Sequence, residues 1–203
     1  MLLYNKRIVV TGGSGRFGQI FKKNEKSFKF DFFFPNKKKF NILKYKSLKT
    51  YLKKIKPKYL IHLAGLSRPM SIHDKDIIQS IDKNIIGTAN ITKICSELGI
   101  KLIYVSTCYV YPGTTKGNYN ENSPVLPINN YAWSKLGGES SVKLYKNSLI
   151  LRASITEKPF VHKEAFHDFK TNFIFTIFPK KTKNADPKSQ ARDRKMLRAI
   201  WET

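Results

Sequence analysis

The stretch that most restricts what this chain can fold into is Thr11-Gly12-Gly13-Ser14-Gly15-Arg16-Phe17-Gly18. It follows the apolar run Arg7-Ile8-Val9-Val10 and leads into an amphipathic segment from residue 15 to about residue 26. It satisfies G-x-G-x-x-G from Gly13 and G-x-x-G-x-x-G from Gly12. Glycines serve two ends in such a run: the chain turns sharply from strand to helix, and backbone N–H groups approach a pyrophosphate with no Cβ in the way. The helix N-terminus then faces the negative charge. A strand before and a helix after is the context that separates a dinucleotide-binding turn from a glycine-rich turn without a ligand. Gly12, Gly13, Ser14, Gly15, Arg16, Phe17 and Gly18 are therefore expected to hold a cofactor.

The rest of the chain alternates strand-like and helix-like runs. Residues 28–34 read as a second strand, and residues 46–56 as a helix with Leu48, Leu52 and Ile55 on one face and lysines on the others. Residues 59–63 form the next strand. Residues 77–98 follow as a helix bearing Ile77, Ile78, Ile81, Ile85, Ala89 and Ile94, which Gly99 closes. A strand over 101–106, a helix over 130–145 and a strand over 148–151 complete the series. Regular alternation predicts a parallel sheet covered on both faces, an α/β, Rossmann-like doubly wound fold. The rhythm fails after about residue 155. The chain is thus read as a dinucleotide-binding domain over 1–155 and a divergent tail over 156–203, a shortened or truncated substrate region or a compact replacement for one.

Charge adds a constraint on partners. Lys+Arg number 38 against 14 Asp+Glu, a net +24, and residues 1–60 alone carry 17 basic and 2 acidic residues. Only seven of the basic residues are arginine, whose planar fork suits phosphates and bases, so the excess reads as lysine-rich surface and nucleic acid is not an expected partner. No apolar run approaches the roughly 18 residues that span a bilayer, so no membrane partner is expected either. Cys95 and Cys108 cannot build a disulfide framework, and the chain opens on a strand-like run rather than a signal peptide, which points to the cytoplasm. His62 lies at a strand end, His73 reads as a surface residue, and His162 and His167 fall in the tail. None has a recognisable metal partner, and no metal site is expected.

A site selective for NAD carries Asp or Glu near the end of the second strand, to accept the ribose hydroxyls. Here that strand runs into Pro35-Asn36-Lys37-Lys38-Lys39, with Asn41 just beyond. Lys37 and Asn41 are read as cofactor contacts. A cationic cluster beside a 2′-phosphate favours NADP(H), with NAD(H) left open because lysine is abundant throughout the chain.

Tyr131-Ala132-Trp133-Ser134-Lys135 puts a phenol and an ammonium at i and i+4, on one face of a helix. A free tyrosine titrates near 10, and a neighbouring cation stabilises phenolate, so Lys135 is expected to bring Tyr131 into working range. Upstream, Leu102-Ile103-Tyr104-Val105 ends in Ser106-Thr107, a hydroxyl at the strand edge where ligands bind in open α/β sheets.

Glycine turn, strand-end hydroxyl and helical Tyr/Lys, in that order, resemble the extended short-chain dehydrogenase/reductase family and its nucleotide-sugar enzymes. His62-Leu63-Ala64-Gly65, Asn84-Ile85-Ile86-Gly87-Thr88 and Val105-Ser106-Thr107 add to the likeness. The runs from Ser106 to Gly113 and from Tyr131 to Glu139 look most like the dTDP-4-dehydrorhamnose reductase branch. The resemblance implies a bound NAD(P)H and a nucleotide-sugar substrate. Tyr131 would be general acid to a substrate carbonyl, with Thr107 on the same oxygen. Lys135 would bind the nicotinamide ribose, and Leu63, Ala64, Gly65, Asn84 and Val105 would lie along the cofactor. Where that branch has an acidic residue after the threonine this chain has Cys108, a weak candidate for substrate contact that also resembles the thiol of an epimerase-reductase; a small buried cysteine is the plainer reading. The resemblance is compatible with a homodimer. It leaves open a nucleotide-sugar epimerase, or a cofactor-binding protein without catalysis.

Overall fold

The computed structural model describes residues 7–23, 30–114, 119–153 and 176–178. The tail reading over 156–203, with His162 and His167, lies outside them apart from one short strand, as does the side chain of Arg16. The elements in order are β1 (Arg7–Thr11), α1 (Arg16–Lys23), β2 (Asp31–Phe33), α2 (Tyr45–Ile55), β3 (Tyr59–His62) and α3 (Ile72–Lys75). There follow α4 (Ile77–Ser80), a π-helical turn (Ile81–Ile86) and α5 (Gly87–Leu98), then β4 (Lys101–Thr107), α6 (Asn130–Leu144), β5 (Ser148–Ala153) and β6 (Thr176–Phe178).

The sheet order is β2-β1-β3-β4-β5-β6. The first five strands are parallel, and β6 pairs antiparallel on β5. The five-stranded parallel core expected from the alternation is present. The chain runs from β1 outward to β2 and then crosses back to β3, so the direction of winding reverses between β1 and β3. Ligands of open α/β sheets bind at the carboxyl ends of the strands beside that reversal.

Successive residues of a strand point to opposite faces, and the core divides accordingly. Val9, Leu60, Leu102, Tyr104 and Ile150 pack under α2, α5 and α6 against Leu48, Leu52, Ile91, Ile94 and Val142. Ile8, Val10, Ile61, Ile103, Val105, Leu149 and Leu151 face the other way, with Phe21 of α1. Both faces are apolar, as a sheet buried on two sides requires.

Two features depart from the expected pattern. The helix read over 77–98 is broken into α4, the π-helical turn and α5, and its first apolar residues do not face the core: Ile77 and Ile78 are 58% and 69% exposed. The wider π turn re-phases the helix, so the row that points at the sheet begins later, at Ile91 and Ile94.

Candidate active site

Thr11 pairs with His62 across β1 and β3, which brings the glycine turn and residues 63–65 together at the reversal point. Gly12 has φ +72°, and a Cβ there would lie 2.7 Å from the Ala64 nitrogen. A Cβ on Gly18 would lie 2.4 Å from the Gly12 oxygen, so the start of α1 sits directly on the turn. Ser14 and Gly15 remain exposed at the N-terminus of α1, and the first turn of that helix holds no acidic residue. This arrangement suits a pyrophosphate. Lys37 lies on an exposed turn with Lys38 and Lys39, beside a β2 end without a carboxylate. Asn41 uses its side chain locally, accepting the Leu43 N–H at 3.0 Å, and Phe17 packs with Phe21, ring centroids 6.4 Å apart.

Behind the turn lies a buried clamp. The Thr11 hydroxyl oxygen accepts the N–H groups of Leu63 and Ala64 at 3.1 and 3.0 Å and lies 2.8 Å from His62 Nδ1. His62 Nε2 is 3.2 Å from the Thr88 hydroxyl, and the ring stacks on Tyr104. Burial, then the charge of Lys135, lowers the His62 pKa to about 3, so the ring is neutral.

Asn84, 1% exposed in the π-helical turn, accepts the Leu66 N–H at 2.7 Å and donates to the Leu66 carbonyl and the Ser134 hydroxyl, both at 2.8 Å. Ser134 in turn donates to the Tyr131 carbonyl at 2.7 Å. Asn84 thus joins the loop after β3 to the first turn of α6. A Cβ on Gly65 would lie 2.8 Å from its Oδ1.

Thr107 ends β4 and is 6% exposed; its hydroxyl accepts the Tyr109 N–H at 3.3 Å and lies close enough to the Tyr131 phenol to lower its pKa. Burial pushes the Tyr131 pKa up and Thr107 pulls it down, with Cys108 and Tyr109 raising it and Arg68 lowering it; the result is about 12. The phenol therefore holds its proton at neutral pH. Lys135 is not the cation that acts on it. Its Nζ donates to the Val105 carbonyl at 2.9 Å and lies 4.2 Å from the centroid of the Tyr104 ring. Burial lowers the Lys135 pKa, Glu139 raises it, and it stands at about 7. The i, i+4 spacing is realised, but the ammonium turns toward β4. Arg68, exposed in the loop after β3, is the cation that bears on Tyr131.

His73 corrects the sequence reading. It is 1% exposed rather than on the surface, its Nδ1 lies 2.7 Å from the Ser80 hydroxyl, and its ring lies 5.1 Å from that of Tyr131. Tyr109 closes the other side, its ring perpendicular to Tyr131 at 6.2 Å. Cys108, partly exposed, sits between Thr107 and Tyr109. His73 and Tyr109 flank the phenol and Ser134 holds the Tyr131 carbonyl, and sequence reasoning gave none of the three a role. Only Ser134 left a signal, by lying inside the Tyr/Lys motif. Among the described residues no group of three His, Cys, Asp or Glu side chains is placed to hold a metal ion, and no helix is long and apolar enough to cross a membrane.

Reversal point, glycine turn and the Thr107–Tyr131–Lys135 grouping define a Rossmann-like protein of the short-chain dehydrogenase/reductase type. More narrowly, residues 6–190 match the RmlD substrate binding domain family, and the chain belongs to it. It is 30% identical over 145 residues to methionine adenosyltransferase 2 subunit beta of Xenopus laevis, covering 68% of this chain and 43% of that protein. A probable low-salt glycan biosynthesis reductase of Haloferax volcanii is 41% identical over 71 residues, 34% of this chain and 24% of the relative. Among solved structures, dTDP-4-dehydrorhamnose reductase from Bacillus anthracis in complex with NADP superposes with a TM-score of 0.67 at 27% identity, over 75% of this chain and 54% of that one. The chain spans less than half the length of these two curated relatives.

Proposed function

We propose that this chain is the dinucleotide-binding and catalytic part of an NADP(H)-preferring reductase acting on a nucleotide-activated keto sugar. The observation that carries the proposal is the Tyr131 phenol, set between the His73 and Tyr109 rings beside the β4 end at Thr107 and keeping its proton at neutral pH, at the sheet edge that also presents the glycine turn. The dinucleotide would supply the hydride for the carbonyl carbon. Tyr131 gives its proton to the carbonyl oxygen as negative charge develops there, and Thr107 holds the same oxygen. Arg68 stabilises the phenolate that remains, and Lys135, held by the Val105 carbonyl, would bind the cofactor ribose. A phenol held above 10 is suited to act first as an acid, which favours reduction over an epimerisation that begins with proton removal. The exposed lysines 37–39 favour NADP(H) over NAD(H) by charge.

The test is NADPH-dependent turnover of dTDP- and UDP-4-keto sugars by the wild type and by Tyr131→Phe. A loss of about 10²-fold or more with NADPH binding retained is expected; full activity in the variant would sink the assignment.

A second reading is favoured by the likeness to methionine adenosyltransferase 2 subunit beta. In it the chain binds the dinucleotide as a non-catalytic subunit docked on a methionine adenosyltransferase. Calorimetric NADPH binding with no turnover of any nucleotide sugar, together with co-elution with such an enzyme, would support it.

A further inference from the structure

Behind the phenol stands a charged pair that the proton transfer does not use. Glu139 and Arg152 are 0% and 2% exposed. They meet in a two-pronged ion pair, with Arg152 Nε donating to Oε1 at 3.0 Å and Nη2 to Oε2 at 2.7 Å. Burial works against the Arg152 charge, but the hydrogen bonds and charge of Glu139, with the Tyr111 hydroxyl, outweigh it and leave its pKa raised. Because both charges lose their hydration, a buried pair of this kind adds little stability over apolar residues of equal volume. Stability alone is a weak reason for its presence.

Its connections supply a better one. Glu139 lies one helical turn beyond Lys135 on α6, and Arg152 is the register partner of Ser106, next to Thr107. The remaining arm of the guanidinium, Nη1, donates to the Tyr111 hydroxyl at 3.0 Å. That hydroxyl donates to the Asn120 carbonyl at 3.0 Å, and the Tyr111 ring stacks on Tyr119 at 4.6 Å. The Tyr119 hydroxyl accepts the Thr114 N–H at 2.7 Å. The chain then returns toward the phenol: the Leu126 N–H donates to the Val110 carbonyl at 2.9 Å, and Asn129 caps α6 through the Ala132 N–H at 2.8 Å. One buried pair thus grips both the helix that carries Tyr131 and Lys135 and the chain that lies outward of Thr107.

We propose that the Glu139–Arg152 pair, acting through the Tyr111 hydroxyl, is a positioning unit that holds residues 111–114 and 119–123 as the substrate-side wall beside Tyr131. The inference rests on the reading of Tyr131 as proton donor to a sugar carbonyl. Glu139, Arg152 and Tyr111 are positioning residues, and the wall they hold is tied together by the local hydrogen bonds of Thr114, Asn120 and Ser123.

Two variants of the full chain test it: Tyr111→Phe, which removes one hydroxyl, and the double variant Glu139→Met/Arg152→Met, which keeps volume and removes both charges. Amide hydrogen exchange is read at Thr114 and Ser123, with α2, which neither substitution touches, as internal reference, and NADPH affinity of Tyr111→Phe by calorimetry as the check that the cofactor side is intact. Loss of the anchoring bonds should speed exchange at Thr114 and Ser123 by about tenfold in both variants, leaving α2 in both variants and NADPH affinity in Tyr111→Phe within about twofold. In a turnover assay KM for the nucleotide sugar should rise by about tenfold with kcat little changed, the pattern of lost substrate positioning. Wild-type exchange at Thr114 and Ser123 in Tyr111→Phe overturns the inference even if the double variant fails to fold. An unchanged KM beside altered exchange also overturns it. Absence of turnover in the wild type overturns the reductase reading alone, and the exchange measurement still decides whether the pair holds the wall.

Discussion

Acid should attack this fold through His62. The Thr11 hydroxyl accepts two N–H groups, from Leu63 and Ala64, so its own proton goes to His62 Nδ1 and the ring carries its single proton on Nε2, toward Thr88. A second proton would have to sit on Nδ1, facing an oxygen whose lone pairs are taken. The His62 pKa is about 3 in the fold, lowered by burial and by Lys135, against about 6.5 for a free histidine. Between those values the unfolded chain binds a proton that the folded chain refuses, so this contribution to stability is intact above pH 6.5 and is lost as the pH falls toward 3. At about 1.4 kcal/mol per pH unit the loss reaches about 3 kcal/mol at pH 4 and about 4 kcal/mol at pH 3. Urea unfolding followed by circular dichroism from pH 4 to 8 measures it. His62→Asn keeps an acceptor for Thr11 and cannot titrate, so its stability should vary with pH less steeply than the wild type by about one proton between pH 4 and 6. Equal slopes would refute the argument, whatever the offset between the two curves. Because Thr11 immediately precedes Gly12, saturating NADPH should move the wild-type acid transition to lower pH.

Other expectations follow from the same geometry. Lys135 is a base whose pKa falls to about 7, so the unfolded chain is the better proton binder between pH 7 and 10.5 and stability should rise with pH across that window. Lys135→Met should abolish that rise, add about 2 kcal/mol at pH 7 by denaturant titration, and lose turnover; a destabilised variant would show that the Val105 and Tyr104 contacts outweigh the desolvation. In Gly18→Ala the new Cβ meets the Gly12 oxygen and the Gly13 Cα at 2.4 and 2.6 Å. Stability should drop by about 3 kcal/mol and NADPH affinity by at least about tenfold in calorimetry. Asn84→Ala removes the two bonds to Leu66 and the one to Ser134, and should cost about 2–4 kcal/mol in urea unfolding with a matching fall in kcat.

Residue order was enough to read the strand–helix alternation, because side-chain period in each segment is local, and the glycine turn, because backbone approach there demands missing Cβ atoms. It was enough to put Tyr131 and Lys135 on one helical face and Thr107 at a strand end, which are short-range facts; that the three belong to one site was implied by the family resemblance. The electrostatics of that group were not legible. The i, i+4 spacing puts Lys135 on the face of Tyr131, yet the ammonium turns to the Val105 carbonyl, 30 residues earlier in the chain. Burial then sets both pKa values, about 12 for the phenol and about 7 for the lysine. His73 looked like surface until α3 was seen packed on α6, and the isoleucines of α4 looked like core until the π turn re-phased the helix. A charged residue inside the apolar run Leu149-Ile150-Leu151-Arg152 was a visible hint of a buried partner. That the partner is Glu139, and that Tyr111 completes the bridge, depended on how α6 crosses the sheet. Desolvation and long-range pairing are properties of packed elements, and tertiary structure alone decides them.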